Sequence, residues 1–117
     1  MAKRSSSAEN PVRGSRSGRP IMALLDLLGR RWALRIIWEL REDAMTSRAL
    51  RQACDDASPT VLNDRLRELR EAGLIEVLEG GGYHLSLLGR DLLESFAPLY
   101  RFAERWHSRS GRLPLAR

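Results

Sequence analysis

Ser58-Pro59-Thr60-Val61-Leu62-Asn63-Asp64-Arg65-Leu66-Arg67-Glu68-Leu69-Arg70-Glu71-Ala72-Gly73 is the stretch on which the reading of this 117-residue chain turns. Serine followed by proline is a strong helix start, because the hydroxyl oxygen can accept an orphan amide proton and proline tolerates the first helical position. The helix is predicted from Pro59 to Ala72, with Gly73 as its stop. At about 100° per residue from Leu62, Leu66 falls at about 40° and Leu69 at about −20°, which makes one narrow buried stripe. Opposite them lie Arg67, Thr60, Glu71 and Asp64, with Asn63 on the flank. That face is polar throughout and can make hydrogen bonds.

Upstream, Pro20 opens a nearly apolar helix, Ile21 to Leu28, which Gly29 ends. A short helix with so little polar face must be covered on most sides, which in a small chain points to a partner subunit. A second helix is expected from about Arg31 to Arg41, burying Trp32, Leu34, Ile36, Ile37 and Leu40 and leaving Arg30, Arg31, Arg35 and Glu39 wet. Thr46 or Ser47 can cap a third, short helix running to about Cys54 and burying Ala49, Leu50 and Ala53. Asp55-Asp56-Ala57 forms the turn into the Pro59 helix.

Downstream of Gly73, Leu74 to Glu79 and Tyr83 to Leu87 read as two strands around Gly80-Gly81-Gly82, since glycines supply the positive φ of a tight hairpin turn. From Gly89 a last helix carries Leu92, Phe96, Leu99, Ala103 and Trp106 at heptad-like spacing, a seam that can pack against a partner. Pro98 inside it predicts a kink.

Charge is concentrated at the ends. Residues 1–20 carry Lys3, Arg4, Arg13, Arg16 and Arg19 against Glu9, and residues 108–117 carry Arg109, Arg112 and Arg117 with no acid, so the chain between them is slightly acidic. Residues 1–18 are rich in Ser, Gly and Arg, cannot bury enough surface to offset their ordering entropy, and are read as a disordered basic arm. Residues 19–108 form the one folded domain, and 109–117 a basic tail. A single cysteine, Cys54, and two histidines, His84 and His107, exclude an internal disulfide and the usual zinc sites, and no metal or cofactor is expected. No apolar run approaches the roughly 20 residues that span a bilayer, and the polar start lacks a signal-peptide core. The expectation is a cytoplasmic protein.

Helix, helix, short helix, turn, polar-faced helix, hairpin and closing helix is the order of a winged helix-turn-helix domain, mainly α with a small β wing. From about Arg19 to Ser108 the chain resembles the HxlR-type transcriptional regulators, relatives of the MarR group. The matching stretches are Leu27-Leu28-Gly29-Arg30-Arg31-Trp32, Ser58 to Leu62 continuing to Arg65-Leu66-Arg67-Glu68-Leu69, Gly73-Leu74-Ile75, and Tyr83 to Arg90. The resemblance implies a dimeric bacterial, nucleoid-associated regulator, a repressor, whose Ser58 to Ala72 helix enters the major groove and whose terminal helices build the homodimer.

In such modules the N-terminal end of the recognition helix reaches base edges, which assigns Thr60, Asn63, Asp64 and Arg67 to base contacts. Arg67 suits guanine, Asn63 adenine and Asp64 the cytosine amino group. Ser47 and Arg48, with Ser58, are placed for phosphates, and Arg13, Arg16 and Arg19 supply the arm's phosphate affinity. The dimer interface is expected at Leu24, Leu25, Leu28, Phe96, Leu99, Ala103 and Trp106, and the operator at an inverted repeat of double-stranded DNA with half-sites about one helical turn apart.

The chain departs from the family at two points. Where many HxlR-type proteins carry a cysteine before the proline of the first helix, Arg19 stands here, so a thiol switch at that position is excluded. Cys54 sits beside Asp55 and Asp56, whose charge disfavours a thiolate, and reads as a half-buried structural residue. The wing tip holds Glu79, three glycines, Tyr83 and His84 without lysine or arginine, so little minor-groove affinity is expected from it. Trp32, Trp38, Phe96, Tyr100, Phe102 and Trp106 could line a pocket for an unidentified small-molecule effector, although aromatics at helical spacing are more often core.

Three other readings compete, of which RNA binding is disfavoured because the chain lacks the exposed aromatic sheet surface that stacking modules use. An enzyme is disfavoured, because His84 and Ser86 share a strand face without an orienting carboxylate and no nucleophile elbow or phosphate-binding glycine loop is present. A winged-helix module that binds protein instead of DNA is compatible with the near-neutral domain, and the charges of the Pro59 helix could simply pair along a solvated surface.

Overall fold

The computed structural model describes residues 18–110; the phosphate-binding arm expected at Arg13 and Arg16, and the basic tail beyond residue 110, lie outside the described residues. The elements are α1 (Pro20–Leu28), α2 (Ala33–Glu39), α3 (Ser47–Ala53), α4 (Pro59–Glu71), β1 (Ile75–Val77), β2 (Tyr83–Leu85), α5 (Leu87–Ser95) and α6 (Ala97–Ser110). The chain is a mainly helical winged helix with one two-stranded antiparallel hairpin.

Helix α2 is shorter at both ends than its apolar pattern predicts. Trp32 adopts a left-handed backbone at φ 74° and stands as the N-cap of α2, so the helix cannot begin at Arg31. Gly29, which ends α1, is itself right-handed. The reversal between α1 and α2 therefore falls on a tryptophan half-buried against the core. Leu34, predicted to be inward, is largely exposed, and Arg35, predicted to be wet, lies against the fold with its guanidinium donating to Glu39 and to the Ala53 carbonyl.

The turn between α3 and α4 closes as expected. Thr46 Oγ1 accepts from the Ala49 amide at 3.0 Å and Ser58 Oγ from the Val61 amide at 3.1 Å, which caps both helices. Asp55 and Asp56 take left-handed backbones, a conformation aspartate tolerates better than most residues. Leu62, Leu66 and Leu69 of α4 pack with Ile36, Ile37, Leu40, Leu50, Leu74, Ile75 and Leu85 in one core, whose burial follows the predicted stripe.

The wing pairs Ile75 with Leu85, Glu76 with His84 and Val77 with Tyr83, and the three glycines at its tip all have φ between 90° and 100°. Both strands are shorter than predicted. Ser86 leaves the strand to cap α5, its Oγ accepting from the Gly89 amide and donating to the Gly73 carbonyl at 2.6 Å. The expected strand face shared by His84 and Ser86 is therefore absent. Met45, in the loop before α3, bonds Tyr83 in both directions at 3.0 and 2.8 Å and anchors the hairpin root to the helix-turn-helix.

The predicted kink at Pro98 is a complete break. Phe96 ends α5, and Pro98 stands in the first turn of the separate helix α6, where its missing amide proton is not needed. The heptad seam is thereby split: Leu92 and Phe96 are half-buried, whereas Leu99, Ala103 and Trp106 are exposed on α6.

Candidate nucleic-acid interface

Helix α4 stands out from the fold by one face. Thr60, Asn63 and Arg67 are exposed along it from the first turn to past its middle, as the wheel predicts. Arg70 continues that face with no ion pair to any described residue. The sequence does not single it out, because at about 80° on the wheel it falls short of the side opposite the leucines. Arg67 is held at 3.1 Å by Asp64 and reaches Glu71 at 4.0 Å. Glu71 is well solvated and the Asp64 side chain keeps 45% of its surface in solvent, so these pairs contribute little to stability and are available for exchange.

Asp64 departs from its neighbours. It is half-buried and lines a polar cleft of about 520 Å³ whose other wall is α1 and the turn after it, at Leu25, Asp26, Gly29 and Arg30. Only one edge of Asp64 therefore faces outward with Arg67. In the same cleft Arg30 bonds Asp26 at 2.9 Å and Glu68 at 3.1 Å, and Arg65 bonds Glu68 at 2.7 Å and the Arg31 carbonyl at 3.0 Å. Burial alone would push the Glu68 carboxyl up, but the hydrogen bonds from Arg65 and Arg30 outweigh it and hold the carboxyl below its usual range.

The described residues assigned to phosphates are exposed. Ser47 and Arg48 stand in the first turn of α3, and Arg19 precedes α1. The Ser58 oxygen is engaged as a cap acceptor, which leaves its proton free to donate outward. A second cleft, of about 460 Å³, separates the α4 face from the wing and is lined by Arg67, Arg70, Glu71, Glu76 and Val77. On the wing the histidine pairs across the strands with a carboxylate on the face opposite buried Ile75 and Leu85, His84 Nε2 lying 3.0 Å from Glu76 Oε1.

The profile of the HxlR-like helix-turn-helix family matches residues 27–111, which include α2 through α6. The chain belongs to the HxlR-like helix-turn-helix family. The solved structures it resembles agree. Quinone-bound YodB from B. subtilis superposes with a TM-score of 0.68 at 26% identity, covering 74% of this chain and 98% of that one. A possible HxlR family transcriptional factor from Thermoplasma volcanium gives 0.67 at 26% identity, with 77% and 86% covered. A MarR-family regulator from Enterococcus faecalis, at 24% identity, shares the fold with a TM-score of 0.70 over 86% of this chain and 96% of its own. No curated protein matches the chain in sequence.

This HxlR-like chain is a DNA-binding transcriptional regulator, and its family is one of regulators and not of enzymes. Among the described residues no helix is long and apolar enough to cross a membrane.

Terminal apolar surface is abundant. Ile21 and Leu25 of α1 are 52% and 54% exposed, and α6 buries none of its residues while exposing Leu99, Tyr100, Phe102 and Trp106. Leu24 and Phe96 are half-buried and Ala103 exposed. Leu28, also assigned to the dimer interface, is buried in its own chain with 8% of its surface left, because the end of α1 turns in toward the core.

Of the six aromatics assigned to an effector pocket, Trp38, Phe96 and Tyr100 meet around a groove of about 220 Å³ with Leu34, Leu93 and Leu99. Trp38 and Tyr100 stack with centroids 5.9 Å apart, and the Arg41 guanidinium lies over the indole at 4.0 Å. Trp32, Phe102 and Trp106 take no part in that groove. Cys54 is fully buried and not half-buried; desolvation is the main cause that pushes its thiol up, with Glu39 and Asp55 adding and Arg35 opposing.

Proposed function

We propose that the chain acts as a homodimer that reads an inverted-repeat operator by placing α4 of each copy in the major groove. The observation that carries this reading is the exposed row Thr60, Asn63 and Arg67, which runs from the first turn past the middle of a helix capped at Ser58 and preceded by a closed turn. Arg67 pairs with guanine and Asn63 with adenine, while Asp64 contributes through its outward edge to a cytosine amino group. Ser47, Arg48, Ser58 and Arg19 hold phosphates and fix the register, and Arg13 and Arg16 of the arm add affinity that a wing without cations does not provide.

The dimer is formed by Leu24 and Leu25 of α1 with Phe96, Leu99, Ala103 and Trp106 of the closing helices. A helix such as α6, which buries none of its residues in its own chain, gains its stability from packing elsewhere. A dimer this small acts by occluding the DNA it covers, which makes it a repressor wherever its operator overlaps a promoter.

Selection of bound fragments from the source genome, at low and at near-physiological salt, tests the reading. Recovery at the higher salt of a few fragments sharing an inverted repeat supports it. Indiscriminate recovery that vanishes as salt rises, or no recovery, would favour a winged-helix module that binds a protein partner.

A further inference from the structure

Helices α1 and α4 face each other across the polar cleft of about 520 Å³, while the C-terminal end of α1 packs on the core through Leu27 and Leu28. Asp26 and Leu25 form one wall, and Asp64, Arg65 and Glu68 the other. Arg30 crosses between them: one guanidinium nitrogen meets Asp26 of α1 at 2.9 Å and another meets Glu68 of α4 at 3.1 Å. Arg65 reinforces the crossing by donating to the same Glu68 oxygen and to the Arg31 carbonyl in the α1–α2 turn. These side chains are largely shielded, so salt screens their attraction less than that of the outward pairs.

Leu27 and Leu28 seat one end of α1 on the core, but along the cleft itself shape alone does not set how far α1 stands from α4, since water can fill it. Directional ion pairs with fixed lengths can hold that distance. On α1, Ile21 and Leu25 are about half exposed, Leu25 also lining this cleft, and neither is covered within the chain.

We propose that the Arg30–Glu68 bridge fixes α1 against α4 and thereby sets the separation of the two α4 helices in the dimer, making Arg30 and Glu68 positioning residues for half-site spacing. This rests on the dimer and DNA-reading roles proposed above. Neither residue needs to touch DNA. The bridge acts by making the dimerisation helix and the reading helix one rigid unit, so that two copies joined through α1 present α4 at one distance only. Operators whose half-sites lie a base pair too near or too far are then refused, because one helix must leave its groove.

The test uses the full chain and the variants Glu68→Gln and Arg30→Gln, with melting by circular dichroism to confirm that each is folded; Arg30→Gln serves alone if Glu68→Gln is not. Pulsed electron resonance between spin labels at Asn63→Cys measures the α4 to α4 distance in the dimer without DNA, Cys54 being buried. Operators carrying the selected half-site at spacings varied by single base pairs measure the preference.

Wild type should show one narrow distance and one preferred spacing. In the variants the distance distribution broadens and the preference falls by about tenfold, while affinity for a single half-site stays within about twofold. An unchanged distribution and preference would overturn the inference and leave the dimer reading intact. Equal losses at every spacing and at the single half-site would also overturn it, because the bridge would then serve only to hold α4 itself. A monomeric wild type would overturn the dimer reading and this inference together.

Discussion

Arg67 and Asp64 sit one turn apart on the exposed side of α4 with the guanidinium 3.1 Å from the carboxylate, and Asp64 alone of the two also faces the cleft toward α1. On the proposed reading, the carboxylate orients the arginine assigned to guanine and repels phosphate when no base takes the arginine from it.

Replacing Asp64 by Asn should therefore raise affinity for random DNA by about threefold to tenfold and lower the ratio of operator to random affinity. Fluorescence anisotropy on both DNAs at one salt concentration measures this. Random-DNA affinity that stays constant would mean that Asp64 makes no such contribution.

Deleting residues 1–18 should weaken binding and flatten the slope of log affinity against log salt by nearly one unit for each phosphate that the arm neutralises. The wing makes this expectation specific, because its one histidine is turned onto Glu76 and its tip carries no cation. An unchanged slope would show that the arm does not touch DNA in the complex.

Gly89, in the first turn of α5, stands against the Leu74 backbone in the link between α4 and β1. A Cβ there would lie 2.1 Å from the Leu74 carbonyl oxygen, a backbone atom that cannot step aside as a flexible side chain can. Gly89→Ala should cost about 2 kcal/mol or more by overpacking, lowering the melting temperature by roughly 10 °C in a domain of this size. Thermal circular dichroism measures it.

The Glu68 carboxyl is held below its usual range, so its protonation is disfavoured by folding. Its contribution to stability is present above the unfolded-state value, about 4.3, and is lost as pH falls through the lower folded value. The stability difference between wild type and Glu68→Gln, from urea unfolding, should therefore be constant near neutrality and shrink below about pH 4. A difference that grows on acidification would contradict the ion-paired state.

Much of the fold is legible in the residues, for reasons that differ by element. The α4 boundaries, its cap at Ser58, the leucine stripe and the glycine hairpin are all local signals, and each appears where its spacing places it. Departures lie where tertiary structure overrides local pattern. Apolar periodicity continues through Arg31 and Trp32, yet a left-handed Trp32 shortens α2, and no residue type announces that conformation in a tryptophan. A proline within an apolar helical pattern predicts a kink, although position alone decides whether Pro98 interrupts one helix or opens another. The wheel locates the exposed side of α4 correctly, but Asp64, Arg65 and Glu68 turn toward α1, a long-range relation that a helical wheel does not contain. The apolar character of α1 as a whole places Leu28 outward with its neighbours, whereas burial distinguishes one end of that helix from the other.

The most direct measurement is the ratio of operator to random-sequence affinity, at near-physiological salt, for wild type and for a variant carrying Thr60→Ala, Asn63→Ala and Arg67→Ala together. If α4 reads the sequence, the ratio falls by about a hundredfold or more with random-sequence affinity weakened far less, since base contacts specify while phosphate contacts at α3 and the arm remain. A variant that is folded and dimeric yet keeps the wild-type ratio would contradict the claim that α4 reads the sequence.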